Sequence, residues 1–127
     1  MPVTGLEPYD PQNIFAKILR GEIPNKTVHE DAHVLAFHDI APQATVHVLV
    51  IPKGRYVSLV DFAATGSEAE IAGLWRAVGR IAGDLGLEQN GYRILANHGT
   101  DAGQEVPHFH VHVFGGGPLG PMISAKR

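Results

Sequence analysis

Three histidines stand at alternate positions in His108-Phe-His-Val-His112. On an extended strand, successive side chains point to opposite faces. His108, His110 and His112 would therefore share one face, and Phe109, Val111 and Val113 the other. The pattern predicts a wet imidazole face backed by an apolar packing face. Two chemistries use such a row. Imidazoles can converge on zinc, where three ligands and an open position make a catalytic site. Alternatively, a neutral imidazole can attack phosphorus while its neighbours hold its tautomer and donate to developing charge. Spacing alone does not choose between them. Gly99 and Gly103 flank a loop whose N–H groups can approach an anion closely, and Asn97, Thr100 and Gln104 add neutral donors. Neutral donors suit a phosphate better than a cation. There is no Walker-type Gly-Lys-Ser/Thr loop, which disfavours the common P-loop nucleotide-binding folds.

The elements that must position this row follow from the rest of the chain. At 127 residues, 44% hydrophobic and 18% charged, the sequence suits a single domain. Folding at this length removes roughly two-thirds of the unfolded chain's surface from water. Ten Lys and Arg against 13 Asp and Glu give a net charge of −3, so no broad electrostatic grip on nucleic acid is expected. The absence of cysteine excludes disulfides, Cys-ligated zinc, iron–sulfur clusters and thiol nucleophiles. The N-terminal residues lack a signal-peptide pattern, and the longest apolar runs, such as Val48–Ile51, are strand-sized. A cytoplasmic protein with no membrane partner is the expectation.

Residues 1–10, with Pro2, Gly5 and Pro8, read as an arm without regular structure, leaving 11–127 as the domain. Asp10-Pro11 predicts an N-cap with proline in the first helical position. The apolar stripe Ile14, Phe15, Ile18 and Leu19 follows, and Gly21 ends it. Strands are predicted over Thr27–Glu30, Val34–Asp39 and Val46–Pro52, then a weak stretch from Lys53 to Gly66 with no assigned element. Ser67 and Glu70 have capping-box spacing ahead of a helix carrying Ile71, Leu74, Trp75, Val78, Ile81, Ala82 and Leu85, which Gly86 can close. Further strands are predicted over Tyr92–Asn97 and His108–Phe114, separated by a polar loop over His98–Gln104. The segment from Gly115 to Pro121 should form a loop or tail. The fold class is α+β: an antiparallel meander of about five strands with two helices. His47, in a Val- and Leu-rich strand, reads by itself as a core histidine. His29, His33 and His38 read as solvated or structural, and His98 has no assigned role.

His108-Phe-His-Val-His-Val-Phe114 resembles the histidine triad motif, His-x-His-x-His followed by apolar residues. Further matches to that family are Ile14-Phe-Ala-Lys-Ile18, Gly21-Glu-Ile-Pro24, Ala36-Phe-His-Asp-Ile40, Pro42-Gln-Ala44, Val50-Ile-Pro-Lys53, Gly91-Tyr-Arg93 and Gly103-Gln-Glu-Val106. They cover nearly the whole chain after the arm. Within the family it is most similar to the purine nucleoside phosphoramidate hydrolase (HINT-like) branch. The Gly115-Gly ending with Pro118-Leu-Gly-Pro-Met122 resembles bacterial members.

The resemblance implies an enzyme that needs no cofactor and no metal. His110 would take the nucleotidyl group from an α-phosphate and release an amine; water would then free a nucleoside monophosphate of the AMP or GMP type. His108 and His112 would flank the nucleophile, and His47 would orient the row and relay a proton. Asn97, Gln104 and Glu105 would hold the phosphate, the last through its backbone N–H, since a carboxylate repels phosphate. Asp39 would accept from the ribose hydroxyls, although its position before Pro42 equally suits a turn cap. Ile14, Phe15, Ile18, Phe37 and Ile40 would wall the purine pocket, or simply form core. A homodimer is implied as well. Three departures stand out. Asn13-Ile-Phe-Ala16 lacks the Cys-x-x-Cys pair with which some relatives help bind structural zinc. Pro107 has no N–H and predicts an edge or bulge there. The Trp-containing ending of some relatives is missing. Competing readings are hydrolysis of dinucleoside polyphosphates, a metalloenzyme ligated by His108, His110 and His112, and a nucleotide-binding interaction scaffold.

Overall fold

Aliphatic and β-branched residues are densest in Val34–His38 and Val46–Pro52, and these become neighbouring strands near the middle of one sheet. The computed structural model describes residues 2–123; residues 124–127 of the domain expected over 11–127 lie outside the described residues. In chain order the elements are α1 (Ile14–Leu19), β1 (Thr27–Glu30), β2 (Val34–His38), β3 (Val46–Pro52), α2 (Leu59–Thr65), α3 (Glu68–Asp84), β4 (Tyr92–Leu95), α4 (Gly99–Ala102) and β5 (Val111–Gly115). The five strands are antiparallel, in the order β1-β2-β3-β5-β4. The α+β class with five antiparallel strands is therefore as expected. The strand order departs from a simple meander at one place. The α2–α3 crossover carries the chain beyond the sheet's growing edge to β4, and β5 returns to fill the gap beside β3.

Alternation along the strands divides the core in two. One face sets Val34, Ala36, Val48, Val50, Val111 and Val113 against Phe62, Phe109 and the buried stripe of α3. The other sets Leu35, Phe37, Leu49 and Ile51 against Phe15 and Ile18 of α1. Covering both faces explains why β3 is buried continuously from His47 to Pro52. It also decides where the histidines go. His47 shares the α1-side face with Leu49 and Ile51, and His112 pairs with Leu49 across the β3–β5 ladder.

Several boundaries move. Helix α1 begins at Ile14, because Asn13 is its N-cap and accepts the Ala16 N–H at 2.9 Å. Asp10 instead closes a turn over Pro11, accepting from Gln12 N–H at 2.8 Å. The weak stretch contains α2, capped by the Asp61 carboxylate, which accepts from the backbone N–H groups of Val57 and Ser58 at 2.8 Å each. The predicted polar loop holds the single turn α4, so there are four helices among the described residues, not two. The Ser67–Glu70 capping box forms as expected. Trp75 and Leu85 are exposed, outside the buried stripe of Leu74, Ala77, Val78, Ile81 and Ala82. Strands β2 and β4 stop at His38 and Leu95. The last strand begins at Val111, so His108 and His110 precede the ladder. Phe109 N–H donates to the Tyr56 carbonyl at 2.7 Å. Pro107 falls outside the ladder, where a missing N–H costs nothing; β5 itself is an interior strand. Among the described residues, no helix is long and apolar enough to cross a membrane.

Candidate active site

The imidazole face is not wet. His108 is fully buried, His110 is 7% exposed and His47 2%, with His112 half-buried. The covering comes from α1, whose Phe15 ring meets His110 edge-on at 5.0 Å between centroids, and from the arm. Burial makes every ring nitrogen's partner matter, because an unpaired buried polar atom is costly.

Backbone partners fix the tautomers, since a carbonyl only accepts and an N–H only donates. His110 Nδ1 lies 2.6 Å from the His108 carbonyl oxygen, so it carries the proton and leaves a lone pair on Nε2. His108 Nε2 donates to the Pro52 carbonyl at 2.8 Å, and its Nδ1 accepts from the Tyr9 hydroxyl at 2.6 Å. Gln43 N–H donates to His47 Nδ1 at 3.1 Å. The His47 proton is thus on Nε2, which donates to His112 Nδ1 at 2.9 Å. His112 in turn carries its proton on Nε2. Asp39 Oδ2 stands 3.4 Å from His47 Nε2.

All four rings favour the neutral form. Burial pushes His108 down to about 4, with His110 adding repulsion and the Pro52 carbonyl opposing. Burial also takes His112 to about 4, reinforced by His110 and His47. His110 and His47 are lowered, again chiefly by burial. A neutral His110 with its proton held on Nδ1 keeps on Nε2 the free lone pair that nucleophilic attack by an imidazole requires.

His110 and His112 open onto a cleft of about 420 Å³ between α1 and the end of β2. Of the residues predicted for substrate contact, Ile14, Phe15, Ile18, Phe37, Asp39, Ile40 and Glu105 line it. Ile23, Pro24, Asn25, His38, Leu49 and Val106 complete the lining. His47 and His108 sit behind the wall. Of the two roles weighed for Asp39, the turn cap is formed: Oδ1 accepts Ala41 N–H at 2.8 Å, and Oδ2 lies toward His47. Gln104 is buried away from the cleft. Its amide donates to the Val57 and Val106 carbonyls, and its oxygen accepts the Gly99 N–H at 3.0 Å. Neither that amide nor that N–H is free for an anion. Asn97 is half-buried and does not line the cleft. His98 precedes α4 and lies beside Gly5.

Zinc ligation by the alternating row does not fit these bonds. Both nitrogens of His108 are engaged and His110 Nδ1 is committed to a carbonyl, so three ligands cannot converge without breaking them. The donor atoms that do cluster belong to Asp39, His47 and His112, within 4.8 Å of one another, and they already contact each other. Tyr9 was missed at the sequence level: a lone aromatic ahead of a helix has no periodicity to mark it.

The profile of the HIT domain matches residues 20–119. The chain belongs to the HIT domain family. A HIT-like protein of Azospirillum brasilense, itself uncharacterised, is 65% identical over 116 residues, 91% of this chain and 95% of that one. The purine nucleoside phosphoramidase of Escherichia coli K12 is 41% identical over 115 residues, covering 91% and 96%. A histidine triad protein from Clostridium difficile superimposes on this HIT protein with a TM-score of 0.79 at 41% identity, covering 87% of this chain and 95% of that one.

Proposed function

We propose that this HIT protein hydrolyses the P–N bond of purine nucleoside phosphoramidates of the AMP–amine type through a nucleotidyl group carried on His110. The observation that carries the reading is the proton placement. His110 Nδ1–H is held by a main-chain carbonyl, so the nitrogen left for the cleft is a lone-pair nucleophile, with His112 Nε2–H beside it. The phosphoramidase named among the relatives supports the substrate class.

The purine lies between the apolar side chains of α1 and Phe37, and the ribose hydroxyls donate to Asp39 Oδ2. Phosphoryl charge in the cleft raises the affinity of the His112–His47 pair for one extra proton, with the Asp39 carboxylate opposite it. His110 Nε2 bonds to phosphorus while the P–N bond breaks. The electron pair goes to the amine, which takes the extra proton from His112 Nε2. The His108 carbonyl stabilises the positive charge left on the phosphorylated imidazole. Water then attacks phosphorus, its proton returns to the pair, and the nucleoside monophosphate leaves with His110 restored. Glu105 contributes its backbone N–H. The enzyme works as a homodimer, for which exposed Tyr92 and Ile94 on edge strand β4 and Trp75 on α3 offer apolar surface. A sedimentation mass near 13.6 kDa would contradict that part.

The test is trapping. After mixing with an adenosine phosphoramidate, mass spectrometry should find an adenylyl group on His110. His110→Ala should bind AMP yet fail to turn over, and substantial turnover by that variant would overturn the mechanism. Faster cleavage of a diadenosine polyphosphate than of the phosphoramidate would overturn the substrate class while keeping the nucleophile.

A further inference from the structure

Tyr9 lies outside the segment matched by the family profile and takes no part in the steps above. Yet its hydroxyl is, among the described residues, the partner of Nδ1 on a histidine with no solvent exposure. The two rings also meet edge-to-face at 5.5 Å. The arm that carries Tyr9 is anchored on both sides of it. Upstream, Gly5 is buried and its carbonyl accepts from Ser58 Oγ at 2.8 Å. Gly5 has φ +77°, and a Cβ there would stand 2.9 Å from the His98 ring, so the close seat requires glycine. Downstream, the Asp10 carbonyl accepts both the backbone N–H and the side-chain amide of Asn13, the N-cap of α1. The Arg55 guanidinium lies over the Tyr9 ring, 5.8 Å from its centroid. A side chain pinned at both flanks and on its face loses little further freedom in making one short hydrogen bond.

The consequence runs through His108. Its Nδ1 must accept for its Nε2 to donate to Pro52, and its carbonyl is the group that holds the His110 proton. Without the tyrosine hydroxyl, the buried Nδ1 has no donor. The ring then gains by moving its proton to Nδ1 or by turning, and either change breaks the Pro52 bond that holds residue 108 in place. We infer that Tyr9 is a positioning residue for the reaction: its hydroxyl fixes the tautomer and seat of His108, and through the His108 carbonyl the aim of His110. Burial holds the Tyr9 hydroxyl above its ordinary range of ionisation, so it remains a donor wherever the enzyme would work.

The inference rests on the phosphoramidase reading for its kinetic half only. Tyr9→Phe keeps the ring, and so the edge contact and the Arg55 stack, while removing the donor. The expected result is a fall in kcat of about tenfold, the effect of one lost buried hydrogen bond, with KM within about twofold. The ¹⁵N resonances of His108 should move in the same variant: the wild type should show an Nε2-protonated ring with a hydrogen-bonded Nδ1, and the variant should lose that Nδ1 signature. Unchanged kcat would overturn the positioning role, and unchanged His108 resonances would overturn the tautomer lock, whatever the kinetics. If the unaltered protein turns over no phosphoramidate, the reading of the reaction fails, and the His108 spectrum alone then decides whether Tyr9 sets the tautomer.

Discussion

Acidification should destabilise this fold through His108 well before its ordinary carboxylates titrate. In the unfolded chain an imidazole titrates near 6.5; in the fold, burial holds His108 neutral down to about 4. A group whose folded pKa is depressed contributes stability above the unfolded value, and loses it as the pH falls toward the folded one. The window is therefore about pH 6.5 to 4. Between pH 7 and pH 5 the unfolded histidine takes up most of a proton and the folded one about a tenth, which removes about 2 kcal/mol. By pH 4 the loss is about 3 kcal/mol, a large part of the stability of a domain this size. Urea unfolding at pH 7, 6, 5 and 4 reads it, with His108→Gln as the reference. Glutamine can still donate to the Pro52 carbonyl but cannot take a proton, so its unfolding free energy should fall less by the amounts above. Contributions from groups not coupled to His108, such as Asp31, Glu70 and His47, are common to both proteins and cancel in the difference. Parallel pH dependence of the two proteins would refute the reasoning, because it would mean that His108 does not titrate differently on folding.

Three other outcomes follow from particular contacts. His47→Ala leaves the Gln43 N–H without its acceptor and His112 Nδ1 without its donor, so kcat for an adenosine phosphoramidate should fall roughly tenfold to a hundredfold in steady-state assays. Gly5→Ala puts a Cβ against the His98 ring and Gln104 in a left-handed conformation, and should cost about 1–2 kcal/mol by chemical denaturation. Phe62→Ala removes a ring that is buried and stacked on Phe109, and should cost about 3–5 kcal/mol in the same measurement.

What could be read from the sequence was whatever has a run or a period. Runs of β-forming residues marked the five strands, since a sheet covered on both faces is apolar without alternating, and the capping box with its 3.6-residue stripe marked α3. Alternation also carried the split of His110 and His112 from Phe109 and Val111, even though the hydrogen-bonded ladder starts only at Val111. Helix α2 was illegible because Phe62 is its one buried residue, which leaves no stripe to detect. Gln104 has the donors a phosphate would want, but tertiary folding assigns them to Val57 and Val106, and composition holds no trace of that choice. Trp75 and Leu85 sit at helical spacing yet face outward, since hydrophobicity alone does not say where a stripe stops. The arm read as unstructured because it has no regular element, but irregular backbone can still be seated, as Gly5 and Tyr9 are.

Three of the groups that set the histidine protons are main-chain atoms: the His108 carbonyl, the Pro52 carbonyl and the Gln43 N–H. No exchange of side chain can delete a carbonyl. Replacing His108 by alanine would remove the imidazole and its Pro52 bond but leave the oxygen itself, so the loss would report how the ring seats that oxygen and not what the oxygen does. An alanine scan therefore measures this site incompletely. The oxygen at 108 is available because the sheet ladder starts three residues later. Carried back as far as residue 108, that ladder would compete for it, so the point at which β5 begins helps to set where the His110 proton sits, through backbone that no inventory of side chains records.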